Sequence, residues 1–190
     1  GNAIHIIAKI ENQEGLNNAR EIIDVADGLM VARGDLGVEV EPALVAFAQK
    51  KLINLANSLS KPVITATQML ESMTHNPRPT RAEVTDVANA IFDGTSAIML
   101  SGETAAGKYP VETVKMMNRI AVTTENSLNY DKIIGAVARE HSLTITNAIA
   151  HATCSMALEM NAQVIVTATS SGETPLALSK YKPKVPIVAV

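Results

Sequence analysis

Val25-Ala26-Asp27-Gly28-Leu29-Met30-Val31-Ala32-Arg33-Gly34-Asp35 and Ile91-Phe92-Asp93-Gly94-Thr95-Ser96-Ala97-Ile98-Met99-Leu100-Ser101-Gly102-Glu103 carry one pattern twice. Each begins where a helix-period stretch stops at an Asp-Gly step, runs through a short apolar segment, and closes on a polar Gly-acid step. Glycine suits the helix stop because it takes positive φ without strain. Working outward, apolar runs at 4–10, 29–32, 63–66, 97–100, 164–168 and 187–190 predict strands. They lack in/out alternation, which suits a parallel sheet covered on both faces. Between them, stretches 16–26, 42–59, 81–92, 111–129 and 146–160 carry apolar residues at helical spacing, and Pro42 and Pro110 fit a first helical turn. The order βαβα means an α/β fold.

The first four strands start roughly 25 to 35 residues apart, the size of a βα unit. Four such units are half of a (β/α)₈ TIM barrel, which needs about 250 residues. Residues 1–130 are therefore expected to form half of such a barrel. Residues 131–143 break the rhythm and are expected to be a connection to a second α/β region, 144–190.

Of 190 residues, 47% are hydrophobic and 18% charged, which supplies a core and carries no signature of disorder. Aromatics are 3% with no Trp, which argues against a stacking platform for single-stranded nucleic acid. A net charge of −3 leaves no electrostatic footprint for polyanions or anionic membranes. Cys154 alone cannot make an internal disulfide, so a reducing, cytoplasmic setting is expected. No apolar run reaches the roughly 20 residues that span a bilayer, and the first residues lack a signal-peptide pattern. The chain starts without Met almost on a strand and stops on another, which reads as a piece of a longer protein.

In α/β folds the working residues come from the C-terminal ends of parallel strands. Those ends supply Lys9, Glu11 and Asn12, then Arg33, Gly34 and Asp35, then Thr67 and Gln68, then Ser101 and Glu103. One cation beside two carboxylates suits a divalent metal with an anion clamp, because Mg²⁺ takes one or two carboxylates and fills its octahedron with water and substrate oxygens. Lys9 supplies a point charge for a phosphate or carboxylate, and the Gly34-Asp35 backbone could face an anion. Each residue also has a plainer reading. Lys9 and Glu11 could be solvated charges at a strand exit, Asp35 a turn acid, and Thr67 and Ser101 structural hydroxyls. The case rests on their falling at the same end of successive strands.

Other signals carry less. The run 102–109 nearly fits the phosphate loop G-x-x-x-x-G-K-[ST], but Tyr109 replaces the metal-binding hydroxyl and Pro110 moves the helix start past Lys108. Arg81, Glu83 and Asp86 read as capping and salt-bridge residues. Cys154 sits among Ala and Met, as a small core residue does.

Five extended motifs now stand in order: Ala8-Lys9-Ile10-Glu11-Asn12, Met30 through Gly37, Thr65-Ala66-Thr67-Gln68-Met69-Leu70, Asn76 through Glu83, and Met99-Leu100-Ser101-Gly102-Glu103-Thr104. In order and spacing they closely resemble pyruvate kinases of bacterial type. The resemblance implies the last four strands of the catalytic barrel and the opening of the C-terminal regulatory domain. It implies that the intact protein passes the phosphoryl group of phosphoenolpyruvate to ADP, giving pyruvate and ATP in glycolysis. By it Lys9 stabilises the phosphoryl group, Glu11 and Asp35 hold Mg²⁺ (or Mn²⁺), and the backbone of Gly34 and Asp35 contacts the substrate carboxylate. Thr67 lies at the enolate and Ser101 nearby. The family's K⁺ would be held by ligands outside this chain, and its usual assembly is a homotetramer. Thr169, Ser170, Ser171, Gly172 and Thr174 match a loop that can hold the phosphate of an allosteric effector, although Glu173 adds a negative charge and a helix cap explains the loop as well.

Two other readings stand beside this one. A Mg²⁺-dependent aldolase or lyase of the phosphoenolpyruvate/pyruvate barrel group would use a similar acid pair. Alternatively, the isolated piece is a non-catalytic assembly unit that self-associates, since half a barrel leaves open sheet edges.

Overall fold

The computed structural model describes residues 4–140 and 144–190 and divides into two compact units, residues 1–128 and 129–190. In the first unit, β1 (Ile7–Ile10), β2 (Gly28–Ala32), β3 (Val63–Ala66) and β4 (Ala97–Met99) form one parallel sheet in the order β1-β2-β3-β4. Helices α1 (Gln13–Asn17), α2 (Ala19–Val25), α3 (Arg33–Glu39) and α4 (Pro42–Ser58) lie between the first three strands, and α5 (Arg81–Phe92) precedes β4. Helices α6 (Gly102–Ala105) and α7 (Pro110–Ser127) follow it. Four parallel strands in sequential order with helices between them match the α/β reading.

The register places the four strand ends level. Ile10 pairs with Val31, Ala32 with Ala66, and Ala66 with Met99. The residue after each strand therefore emerges at the same end of the sheet. Apolar strand residues Leu29, Val31 and Val63 pack against Leu52, Ile53 and Ala56, which share one face of α4 at i, i+1 and i+4. Burying a side chain such as Leu52, fully enclosed here, contributes about 1.5–3 kcal/mol. A second cluster, Met69, Leu70, Met73, Val87, Ala90, Met117 and Ile120, packs α5 and α7 beneath the β3 exit.

The two glycines of the repeated pattern serve different ends. Gly94 takes φ +90° and stops α5 as expected. Gly28 has no positive φ; it opens β2, and a Cβ there would come within 2.7 Å of Ile7 Cδ1 and of the Pro62 carbonyl oxygen. Its role is close approach between strands rather than a left-handed turn.

The second unit contains α8 (Tyr130–Glu140), α9 (Ile145–Glu159), β5 (Ile165–Thr167), α10 (Glu173–Ser179) and β6 (Ile187–Ala189), with β5 and β6 parallel. The stretch expected as a connection, 131–143, is mostly the helix α8; its residues 141–143 lie outside the described residues. Ile134 is buried with Ala150, Cys154, Ile165, Leu178 and Tyr181, and Val137 and Ala138 pack against them. This helical spacing gives α8 an apolar face and makes it part of the second unit's core.

Candidate active site

Lys9, near the end of β1, carries the centre of the site. Its Nζ stands 2.5 Å from Glu11 Oε2 and 2.8 Å from Asp35 Oδ2, so residues from two neighbouring strand exits meet at one nitrogen. Hydrogen bonds to Asp35 and then Glu11 hold the ammonium well above the usual lysine range, outweighing its partial desolvation. Lys9 is a fixed cation across physiological pH. All three side chains are about half exposed (48%, 44% and 53%), so the cluster opens to solvent and a ligand can reach it.

Among the described residues no three acid, His or Cys side chains gather as a ready-made metal cage. The donor set is instead two carboxylates converging on one cationic nitrogen. That fits Mg²⁺ or Mn²⁺, hard cations that accept one or two carboxylates when substrate oxygens and water complete the shell.

Beside this cluster, Thr67 and Gln68 leave β3 with φ +68° and +53°. Two successive non-glycine residues in the left-handed region cost of order 1–3 kcal/mol each, and such conformations persist only where surrounding contacts impose them. Thr67 Oγ1 accepts a 2.7 Å hydrogen bond from the Gly34 N–H and donates one of 2.7 Å to the Ala66 carbonyl. The Gly34 N–H, expected to face an anion, is thus occupied by the Thr67 hydroxyl, and the two site residues are joined directly.

Ser101, at the β4 exit, is held through its backbone. Its N–H donates 2.7 Å to Glu103 Oε2, while Leu70 N–H donates 3.2 Å to Glu103 Oε1. Glu103 is fully buried, so its carboxylate ties the turn after β3 to the end of β4. The Ser101 hydroxyl is buried and has no partner among the described residues, which leaves it free for a ligand or water.

Two supports were only partly legible. Glu83 completes the Thr80 capping box as its spacing suggests, but it also accepts from Ser72 N–H and Ser72 Oγ at 2.7 and 2.6 Å. Asp86 forms the expected salt bridge, and its partner is Arg33 at 2.6 Å. No local pattern announces that pairing, since 53 residues separate them. The near-phosphate loop is filled by structure: α6 starts at Gly102, Lys108 N–H donates to Thr74 O, and α7 starts at Pro110.

In the second unit, Gly172 takes φ +82° at the start of α10, its N–H donates to Thr169 Oγ1 at 2.9 Å, and the Glu173 N–H donates to Ser171 Oγ at 3.4 Å. Hydroxyls of the loop itself occupy these donors, while the N-cap position is Gly172, which makes no side-chain cap. Ser170 and Thr174 flank it in sequence.

Comparison with known proteins agrees in both units. A family model described as "Pyruvate kinase, barrel domain" matches residues 1–114, and one described as "Pyruvate kinase, alpha/beta domain" matches residues 147–190. The chain is 59% identical over 187 residues, 98% of its length, to a protein named pyruvate kinase from Bacillus licheniformis and equally to one from Geobacillus stearothermophilus, covering 32% of each. It is 53% identical over its full length to a pyruvate kinase from Clostridium acetobutylicum, covering 40% of that protein. The chain thus spans about a third of the length of most such relatives. With the barrel model covering more than half of its residues, on the sheet whose strand ends hold the Lys9 cluster, the chain belongs to the pyruvate kinase family.

Proposed function

We propose that this chain carries most of the phosphoenolpyruvate and metal site of a cytoplasmic pyruvate kinase, which transfers a phosphoryl group to ADP and releases pyruvate and ATP. The observation that carries the reading is the meeting of Glu11 and Asp35 at Lys9 Nζ on adjacent strand exits. Phosphoryl transfer needs positioning and charge neutralisation more than covalent chemistry. Lys9, held protonated, neutralises the equatorial oxygens of the phosphoryl group, with an effect that grows as water is excluded. Glu11 and Asp35 hold the divalent cation, which when bound screens charge on the phosphoryl group and on the enolate. The backbone at Gly34 and Asp35 receives the substrate carboxylate once it takes the place of the Thr67 hydroxyl on the Gly34 N–H. Thr67 then has a hydroxyl beside the enolate, placed to pass a proton toward its carbon. Ser101 contributes a hydroxyl with no competing partner. The family match favours phosphoryl transfer over an aldolase or lyase reaction on a similar acid pair.

The K⁺ ligands and much of the nucleotide site belong to the remaining part of the protein, and the intact enzyme assembles as a homotetramer. The 190-residue chain alone has no measurable kinase turnover and self-associates through open strands β1 and β4; a monodisperse monomer in light scattering at micromolar concentration would refute the latter. For the loop at Thr169, the hydrogen bonds its own hydroxyls make to its backbone support a structural role over effector binding. The test of the main reading joins this chain to the remaining two thirds of the Geobacillus stearothermophilus relative. ADP phosphorylation from phosphoenolpyruvate should appear, and Lys9→Met and Glu11→Gln should each abolish it. A folded chimera without turnover, or one indifferent to both substitutions, overturns the assignment.

A further inference from the structure

Arg33 is among the few buried charged residues of the described chain, and its guanidinium is ringed by protein acceptors. Nη2 donates to the Thr67 carbonyl at 2.8 Å, the Gln68 carbonyl at 3.1 Å and Met69 Sδ at 2.8 Å, and Nε adds a 3.3 Å bond to the Thr67 carbonyl. Nη1 grips both oxygens of Asp86 on α5 at 2.7 and 2.6 Å and reaches Gln49 Oε1 on α4 at 3.4 Å. Gln49 in turn donates 2.9 Å to Asp93, which Lys50 also contacts. The planar fork is therefore fixed from the helix side and presents its other edge to two successive carbonyls. Those carbonyls belong to Thr67 and Gln68, the two residues in the left-handed region.

We infer that Arg33 is a positioning residue, not a catalytic one: its guanidinium, anchored by Asp86, holds the left-handed Thr67–Gln68 turn and so fixes where the Thr67 hydroxyl stands, on the Gly34 N–H until substrate takes that donor and beside the enolate thereafter. The inference deepens the functional reading above and rests on it for the consequence in turnover. Two features support it. The conformation is strained for Thr and Gln, so something must hold it. And the hydroxyl so placed meets the backbone of the residue that follows Arg33 in sequence, so one side chain and its own main chain grip Thr67 from both sides. A lysine cannot reproduce this. Its ammonium is a point charge without the planar fork that spans Asp86 and two carbonyls together.

The test uses the chimera described above with Arg33→Lys, Asp86→Asn, Thr67→Ala and the pair Arg33→Lys/Thr67→Ala. A misplaced catalytic group costs on the order of 10²-fold in rate, so Arg33→Lys should lower kcat by about 10- to 100-fold and change KM for phosphoenolpyruvate by less than about threefold. In the Thr67→Ala background, where no hydroxyl remains to be placed, Arg33→Lys should cost less than about threefold more. Crystal structures should show Thr67 at positive φ in the parent chimera and away from it in Arg33→Lys. Asp86→Asn, which frees the fork without removing it, should give the same signature more weakly and serves if Arg33→Lys does not fold. Retention of positive φ at Thr67 in Arg33→Lys and Asp86→Asn, or fully multiplicative losses in the double variant, would overturn the inference. An inactive parent chimera would instead count against the functional reading, while the φ readout still judges the role of Arg33.

Discussion

Replacing Glu103 by Gln changes almost no volume and removes one specific thing, the ability of both side-chain oxygens to accept. In the structure Oε2 takes the Ser101 N–H at 2.7 Å and Oε1 the Leu70 N–H at 3.2 Å, with Glu103 and Leu70 both fully buried. Glutamine keeps one carbonyl oxygen and turns the other position into an NH₂ donor. The shorter bond to Ser101 should keep the oxygen, leaving the Leu70 N–H facing a donor with no water to replace it. An unsatisfied buried donor costs about 1–3 kcal/mol, and the surviving bond loses its charge assistance, so a total near 2–3 kcal/mol is expected. Glu103→Ala strands both N–H groups and should cost about 4 kcal/mol. With a urea slope of about 2 kcal/mol/M, Glu103→Gln should lower the unfolding midpoint of the first unit by roughly 1 M. Far-UV circular dichroism reads the midpoint and hydrogen exchange reads the Leu70 and Ser101 amides individually. A Gln variant within about 0.5 kcal/mol of the parent, with the Leu70 amide equally protected, would refute the reasoning that this carboxylate ties the two strand exits together.

Three further outcomes follow from the same contacts. Gly107→Ala would place a Cβ 2.2 Å from the Glu103 carbonyl oxygen and 3.0 Å from its carbon, both backbone, so a loss of about 1–3 kcal/mol in urea unfolding is expected. At Glu83, desolvation raises the carboxyl but bonds from Ser72 and then Thr80 outweigh it, leaving the group below its usual 4.5. The stability this adds is present above that value and is lost as pH falls through the lowered one, so Glu83→Gln should flatten the acid limb of a thermal-melt profile below about pH 4.5. Burial pushes the Cys154 thiol up to about 11, so its reaction with Ellman's reagent at pH 8 should be on the order of 10²-fold slower in the folded chain than in urea.

The strands were legible because they are continuous apolar runs of the length a covered parallel sheet requires. The run at 63–66 coincides with β3, and the stretch 81–92 with α5, whose Thr80-Glu83 cap fixes its start. The short helices carry weaker local signals. Helix α3 contains Gly34 and Gly37 in seven residues, a poor local helix former, and is sustained by the full burial of Leu36 in the sheet-side core. Helix α8 carries a signal, since Ile133, Ile134, Val137 and Ala138 repeat at helical spacing, but it stands where the βα rhythm breaks and no strand follows at the expected interval.

The site divides in the same way, and the division has a physical cause. The strand-exit positions of the candidate residues Lys9, Glu11, Asp35, Thr67 and Ser101 follow from a one-dimensional rule, because parallel strands in register send their following residues to one end of the sheet. What holds them there acts across distance in the chain. Arg33 reaches Thr67 over 34 residues and Asp86 over 53, and Glu103 reaches Leu70 over 33. The left-handed turn at Thr67 and Gln68 is the sharpest case, since local propensity argues against it and only tertiary hydrogen bonds explain it. Geometry fine enough to aim a hydroxyl was therefore never encoded locally at Thr67. It is supplied by Arg33, whose own position is set by an acid on a helix that follows β3. Substitutions at Arg33 or Asp86 should accordingly alter the Thr67 turn while leaving the contact of Lys9 with Glu11 and Asp35 in place, because none of the guanidinium's hydrogen bonds goes to that cluster.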